Sequence, residues 1–317
     1  MTISEFEIIE VTTDQEAETF IQIHIHLNQG DPNWIRPLDK DIKEVFDADK
    51  NKFFRHGKAI RWIMKNESGT FIGRIAAFVN SKYTNKGDKV PMGGIGFFDC
   101  IDDQQAANQL FDTASDWLEK QGMQGMDGPI NFGERDKFWG LLIEGFEEPL
   151  YGMNYNPPYY RDLFEGYGFQ LYYEQLCFHL ELAQETAQLS DKFYKAHAKY
   201  ADNPDFKVAN ITKKHLKQAA TDFSIIYNKA WAGHGGNKTI SAEKAYKIFL
   251  SLKPVMNDYL GWLTYYKEEP IALFVNMPDL NQIFKYLDGQ LNWWSKLKFA
   301  YLRYKGVCTR MVGIVYG

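Results

Sequence analysis

The sequence predicts an α/β protein of two tandem domains, each a mixed central sheet flanked by helices. Three observations carry this reading. Segments with strand period and segments with helix period alternate along the chain. The order strand, helix, helix, hairpin begins a second time after a polar stretch near residue 190. The length, 317 residues, exceeds the span over which one core usually keeps growing.

The elements follow in order. "FEIIEVTT" alternates as a strand, and "DQEAETFIQIHIHLNQG" reads as a helix opened by a capping Asp14 and closed at Gly30. After the prolines of "DPNWIRPL", the run "DKDIKEVFDADKNKFF" gives a second helical period through Ile42, Val45, Phe46 and Phe53. "KAIRWIMKNESGTFIGRIAAFVN" is a hairpin around an Asn-Glu-Ser-Gly turn, and "GGIGFFDC" is a fourth strand. Ala107, Leu110, Phe111, Ala114, Trp117 and Leu118 mark one face of the helix that follows, which Gly122 ends. A short strand, "MDGPIN", precedes an irregular insert from Phe132 to Asn156; then come a helix, a Gly-Tyr-Gly-Phe punctuation and an aromatic strand, "FQLYYEQLCFHLEL".

The second copy runs through "FKVANIT" as strand, "KKHLKQAATDFSIIYNKAW" and "SAEKAYKIFLSLKP" as helices, "YLGWLTYYKEEPIALFVNMPD" as hairpin, and the apolar strand "TRMVGIVYG". The predicted boundaries are an N-terminal domain at 1–182, a linker at 183–205 and a C-terminal domain at 206–317, the last incomplete after its fourth strand.

This order, with a helix that stops at Gly-Phe just before the final strand, resembles the GNAT (N-acetyltransferase) superfamily. The matching residues are Leu163, Phe164, Glu165, Gly168 and Phe169, and "PIALFVNMPDLNQIFKYLDG" resembles the tandem branch of the same family. The resemblance implies two tandem GNAT-like domains and transfer of an acyl group from acetyl-CoA or another acyl-CoA to a small-molecule amine. It also implies a phosphate-gripping loop, Gln-x-x-Gly-x-Gly, between the fourth strand and its helix, with backbone N–H groups and the positive helix end facing the pyrophosphate.

Such chemistry must strip a proton from an amine of pKa about 10, which at neutral pH costs about 4 kcal/mol. In the first copy the loop position reads "CIDDQQAANQL": Asp102 and Asp103 suit a helix cap and repel phosphate, and Phe164 stands where the family often has a proton-donating Tyr. The first domain is therefore read as degenerate for coenzyme A. In the second copy the resemblance makes Val315, Tyr316 and Gly317 the cofactor contacts, and Trp231, His234, Asn237, Asp279 and Asn281 the substrate contacts, with His234 as a possible base. No catalytic residue is assigned. The alternative is a non-catalytic binding module on an inherited acyltransferase scaffold; aminoacyl transfer from tRNA is a third reading.

A net charge of -5 opposes nucleic acid as the main partner, and no apolar run reaches membrane-spanning length. With three cysteines, read as buried hydrophobes, and no leader-like start, the expectation is a cytoplasmic protein without metal and without a membrane partner. "HIH" at His24 and His26 is not a metal pair, because residues two apart on a helix face opposite sides; one packs and one is exposed. "GGIG" fits a bulge or turn better than a dinucleotide loop, and "GHGGNKT" lacks both the last glycine and the preceding strand of a P-loop. The lysines of "DKFYKAHAKY" and "ITKKHLKQ" are spaced as solvated helix faces.

Overall fold

The computed structural model describes residues 6–83, 85, 87–132, 135, 137–182, 189–232 and 239–317. The chain divides into two compact units, one of residues 1–175 with 280–307, the other of residues 176–279 with 308–317. Residues 280–307, expected in the C-terminal domain, thus belong to the first unit.

In the first unit β1 (Phe6–Glu10), β2 (Gly57–Asn66), β3 (Phe71–Asn80), β4 (Met92–Cys100) and β5 (Gly125–Asp127) form one sheet in that order. The first four strands pair antiparallel, and β5 runs parallel to β4. Helices α1 (Asp14–Asn28) and α2 (Asp39–Val45) cover one face; α3 (Gln104–Lys120) and α4 (Tyr160–Tyr167) cover the other. The pleat sorts the strands accordingly. Ile63 and Phe78 point to Phe20, Ile23 and Ile42, while Met64, Ile75 and Phe98 point to Leu110, Phe111, Leu163 and Phe164.

Local chemistry places these helices. Thr13, not Asp14, caps α1: its hydroxyl accepts the Glu16 N–H at 3.2 Å and the Glu16 carboxylate accepts the Thr13 N–H at 2.8 Å, a reciprocal box that a lone Asp cannot form. The second expected helix is shorter than its period suggested. Asp47 and Asn51 accept the N–H groups of Asp49 and Phe53, which stops α2 and starts a separate 3-10 turn at Lys52–Arg55. Asp103 caps α3 by accepting the Ala106 N–H at 2.9 Å. Gly168, at φ +113°, ends α4 in the left-handed conformation, and Phe169 folds back on Phe111 and Phe164.

The strand expected over residues 169–182 belongs to neither sheet. The first sheet ends at β5, whose three residues offer almost no edge to extend, and Leu176, Phe178, Leu180 and Leu182 are exposed. Nor are all three cysteines buried: Cys100 is, Cys177 is exposed and Cys308 lies between.

The second unit repeats the opening order. Strands β6 (Phe206–Asn210), β7 (Gly261–Tyr266), β8 (Glu269–Pro278) and β9 (Met311–Tyr316) form an antiparallel sheet, with α6 (Leu216–Ala230) and α7 (Ala242–Leu252) against one face through Leu216, Phe223, Phe249, Leu263 and Leu273. The polar stretch before β6 holds α5 (Asp191–Tyr200), which buries no residue, as its lysine spacing indicated. The sequence reading left unassigned two helices between β8 and β9: α8 (Asn281–Phe284) and α9 (Trp293–Tyr304). They pack in the first unit through Phe284, Leu287 and Phe299 around Leu38.

One irregularity positions the site. Arg74 pairs with Asp99 and Ala76 with Gly96, so β4 carries an extra residue there, and Phe97 takes φ +50°. "GGIG", expected as a bulge or turn, is itself regular strand within β4, and the bulge follows it at Phe97 and Phe98. A Cβ on Gly96 would stand 2.0 Å from the Ile130 carbonyl oxygen, a backbone atom that has no room to give way. We expect Gly96→Ala to destabilise the protein by about 2 to 3 kcal/mol in urea unfolding, and Gly69→Ala, in open space, to be milder.

Candidate active site

The charge at the end of β4 organises the site. Asp99 is 2% exposed and the register sets it opposite Arg74, which is equally buried. Arg74 Nε donates to Asp99 Oδ2 at 2.5 Å, its Nη1 donates to the Phe20 carbonyl at 2.9 Å, and its guanidinium lies 4.6 Å from the Phe20 ring centroid. Helix α1 adds two residues one turn apart on its buried face. His24 Nδ1 stands 2.9 Å from Asp99 Oδ2, and Asn28 Nδ2 donates to Asp99 Oδ1 at 3.2 Å and to the His24 carbonyl at 2.8 Å. Helix α4 supplies Tyr160, whose hydroxyl donates to Asp99 Oδ1 at 3.1 Å and accepts the Cys100 N–H at 3.0 Å.

These contacts fix where the protons are. Burial alone would raise the Asp99 carboxyl, but His24 and Arg74 outweigh it and hold the group well below the usual carboxylate range. Burial, reinforced by Asp99, pushes the Tyr160 phenol well up, so it stays protonated and donates. An ionised Asp99 can only accept, so Nδ1 of His24 carries the hydrogen. The lone pair of a neutral imidazole then lies on Nε2, which accepts the Trp34 indole N–H at 3.3 Å.

Beside this cluster lies a narrow cleft with about 60 Å³ of interior space, lined by His24, Trp34, Phe97, Phe138, Tyr155 and Asn156 among others. The insert between β5 and α4 contributes to its lining, and the C-terminal part of the insert is clamped. Asn156 exchanges hydrogen bonds with the Leu142 N–H and carbonyl, at 2.8 and 3.1 Å, and the Tyr155 hydroxyl donates to Asp31 at 2.8 Å. Burial and Asp31 push the Tyr155 phenol up to about 12.

The residues singled out from the sequence fall elsewhere, in part. Trp231 and Tyr316 meet: the indole N–H donates to the Tyr316 carbonyl at 2.7 Å. Gly317 pairs with Leu273 through its N–H and its carbonyl, and Val315 lies opposite Val275 in the ladder. Asp279 is buried and ion-paired with Arg310 at 2.8 Å. Asn281 lies in the first unit, on the wall of the cleft, where its Nδ2 donates to the Pro149 carbonyl at 2.7 Å. His234 and Asn237 lie outside the described residues. The "HIH" reading fits the structure: His24 is packed and His26 exposed.

Sequence reasoning missed Arg74, Asp99 and Tyr160 as a set. A signal was present, a single opposite charge inside each of two apolar strands, but only the register joins them.

Both units carry the same opening, strand, two helices, then three antiparallel strands; in the first a helix and a parallel strand follow. That is the layout the resemblance implied: two mixed α/β units in tandem, the second matching the first in its opening. The chain's curated relatives are also similar along nearly the whole chain. A bacterial ceramide synthase of Caulobacter vibrioides is 26% identical over 98% of this chain and 80% of its own length, and protein YghO of Escherichia coli is 28% identical over 95% and 75%. No family model matches. Among solved structures, a tandem GNAT protein from the clavulanic acid biosynthesis pathway aligns with 86% of this chain and 74% of its own at 9% identity and TM-score 0.41. The aminoglycoside N-acetyltransferase AAC(6')-Iy aligns with 57% of this chain and 97% of its own at 17% identity and TM-score 0.34.

Replacing Asp99 would strand Arg74 in the core. We expect Asp99→Asn to cost about 3 kcal/mol at neutral pH in urea unfolding. Because the folded carboxyl is depressed, its stabilisation is present above the unfolded value near 4 and is lost as pH falls below it, so the gap between wild type and variant narrows in acid.

Proposed function

We propose that this chain is an N-acyltransferase: an amine nitrogen attacks the carbonyl carbon of an acyl thioester, the C–N bond forms, the C–S bond breaks, and the products are an amide and a thiol. The observation that carries this reading is the dyad of Asp99 and His24 beside the cleft. Asp99 accepts from Nδ1 and orients the ring, leaving Nε2 as the base. The proton it removes from the amine ends on the departing sulfur. Trp34 occupies that nitrogen in the free protein and yields it to the acceptor. Tyr160 holds the carboxylate in place and is a positioning residue.

The acceptor in this reading is a long-chain amino alcohol. A ceramide is an N-acylated molecule of that kind, and the similarity to a ceramide synthase extends over 98% of this chain. The cleft, at about 60 Å³, takes the amine end of such a molecule and not its chain, and Ile35, Leu38, Phe97, Phe138 and Leu141 in its lining suit the first methylene groups.

Coenzyme A is the donor carrier the resemblance implies. At the start of α3, however, Asp103 uses its carboxylate on the Ala106 N–H and Gln104 Nε2 donates to the Leu163 carbonyl. A pyrophosphate does not fit that end, and the reading commits only to an acyl thioester. The contacts expected from the sequence at Val315, Tyr316 and Gly317 for a cofactor, and at Trp231, His234, Asn237 and Asp279 for a substrate, remain a separate proposal for the second unit; Asn281 lines the cleft of the first.

The test is product formation. Purified protein with a long-chain acyl thioester, offered on pantetheine and on coenzyme A, and a long-chain amino alcohol gives the amide by mass spectrometry, and His24→Gln lowers kcat by about 10² to 10⁴-fold with an unchanged circular dichroism spectrum. Turnover that His24→Gln leaves intact overturns the assignment of the base. If no amide forms from any amine tested, while small molecules other than thioesters raise the melting temperature, the chain is a binding module instead.

A further inference from the structure

Helix α9 is attached to the first unit along one side. Phe299 packs on Phe284, and Ser295 is buried. The opposite side is unlike an ordinary solvated face. At about 100° per residue, Trp293, Trp294, Leu297, Tyr301 and Tyr304 fall within an arc of roughly 120°. All five are exposed, Trp293 at 62%, Trp294 at 69% and Tyr304 at 88%.

Cations border this stripe on both sides. Lys296 and Arg303 follow one edge; Lys298 and Lys305 follow the other. Lys298 also donates to the Tyr286 carbonyl at 2.6 Å, which brings the exposed Tyr286 to the same patch. From Gly289 to Gly317 the sequence contains no Asp or Glu, although the protein carries a net charge of -5. The nearby acids Asp288 and Glu148 pair with Arg36 and Lys285.

We propose that α9 docks this protein on the surface of an anionic phospholipid bilayer. Tryptophan and tyrosine favour the headgroup level, where their rings are apolar and their N–H or O–H groups stay wet; Leu297 reaches the acyl boundary, and the two rows of cations meet the lipid phosphates. The helix lies in the interface and does not cross it. Among the described residues no helix is long and apolar enough to span a membrane. A second copy of the chain is a poorer occupant, since it would set cationic borders against cationic borders. Nucleic acid is poorer too, because the stripe's middle is apolar and the cations lie at its margins.

Vesicle flotation tests this without any turnover, so its result is independent of the catalytic reading. Full-length protein is mixed with vesicles of phosphatidylcholine alone, or of equal parts phosphatidylcholine and phosphatidylglycerol. About tenfold more protein floats with the anionic vesicles. The triple variant Trp293→Ser, Trp294→Ser, Tyr301→Ser stays at the bottom with an unchanged circular dichroism spectrum, and Lys296→Gln with Lys298→Gln and Lys305→Gln removes the preference for anionic lipid. Flotation with neither vesicle overturns the proposal, as does a triple variant that floats like wild type. Self-association or RNA retention that the triple variant abolishes, in protein that ignores vesicles, overturns it in favour of those partners.

Discussion

Asp99 carries a full negative charge where water hardly reaches, and a buried charge is tolerable only when its surroundings answer it. Here they do so from three directions. The strand beside it presents Arg74, the helix on one face presents His24 and Asn28, and the helix at the other presents Tyr160. Each partner comes from a different part of the chain, so the position of this carboxylate couples β3, β4, α1 and α4. The bulge in β4 is what makes the coupling possible, because it shifts the strand by one residue, so that Asp99 and not Phe98 stands opposite Arg74.

An arrangement of this kind is a costly way to gain stability. A well-packed apolar substitute for a buried ion pair often serves the fold as well or better. What an apolar core cannot provide is an imidazole with one nitrogen fixed and the other presented to a cleft. The surrounding polar atoms hold that ring in one orientation, and only the Trp34 indole has to move to free its second nitrogen. The clamped insert beside it makes the same point: Asn156 and Tyr155 spend their hydrogen bonds on keeping a wall in place.

Much of the scaffold was legible from the residues. The Asn-Glu-Ser-Gly turn, the glycine exit of α4 and the Asp103 cap are local devices, and local devices leave local signatures. The strand over residues 169–182 failed for the complementary reason: its alternation is real, but a strand exists only where an edge is present to receive it. Helix α8 is a single turn of four residues, too short to show a period, and α9 was missed because the aromatic residues of "NWWSKLKFAYLRY" do not separate into an inward and an outward face when scored by hydrophobicity alone. The site was the least legible part. One histidine of "HIH" was read as packed without saying which; it is His24, whose partner lies 75 residues away, and a β register across a bulge cannot be inferred from one chain.

The two sheets are not equally insulated. The first has helices on both faces, whereas in the second α6 and α7 lie against one face, and Trp262, Phe274 and Tyr316, in register across β7, β8 and β9, leave their rings at the surface of the other. A two-layer body withdraws less apolar area per residue than a three-layer one and is held by a smaller driving force. Heat or denaturant should therefore take the second unit apart ahead of the first, and a single midpoint would describe neither transition.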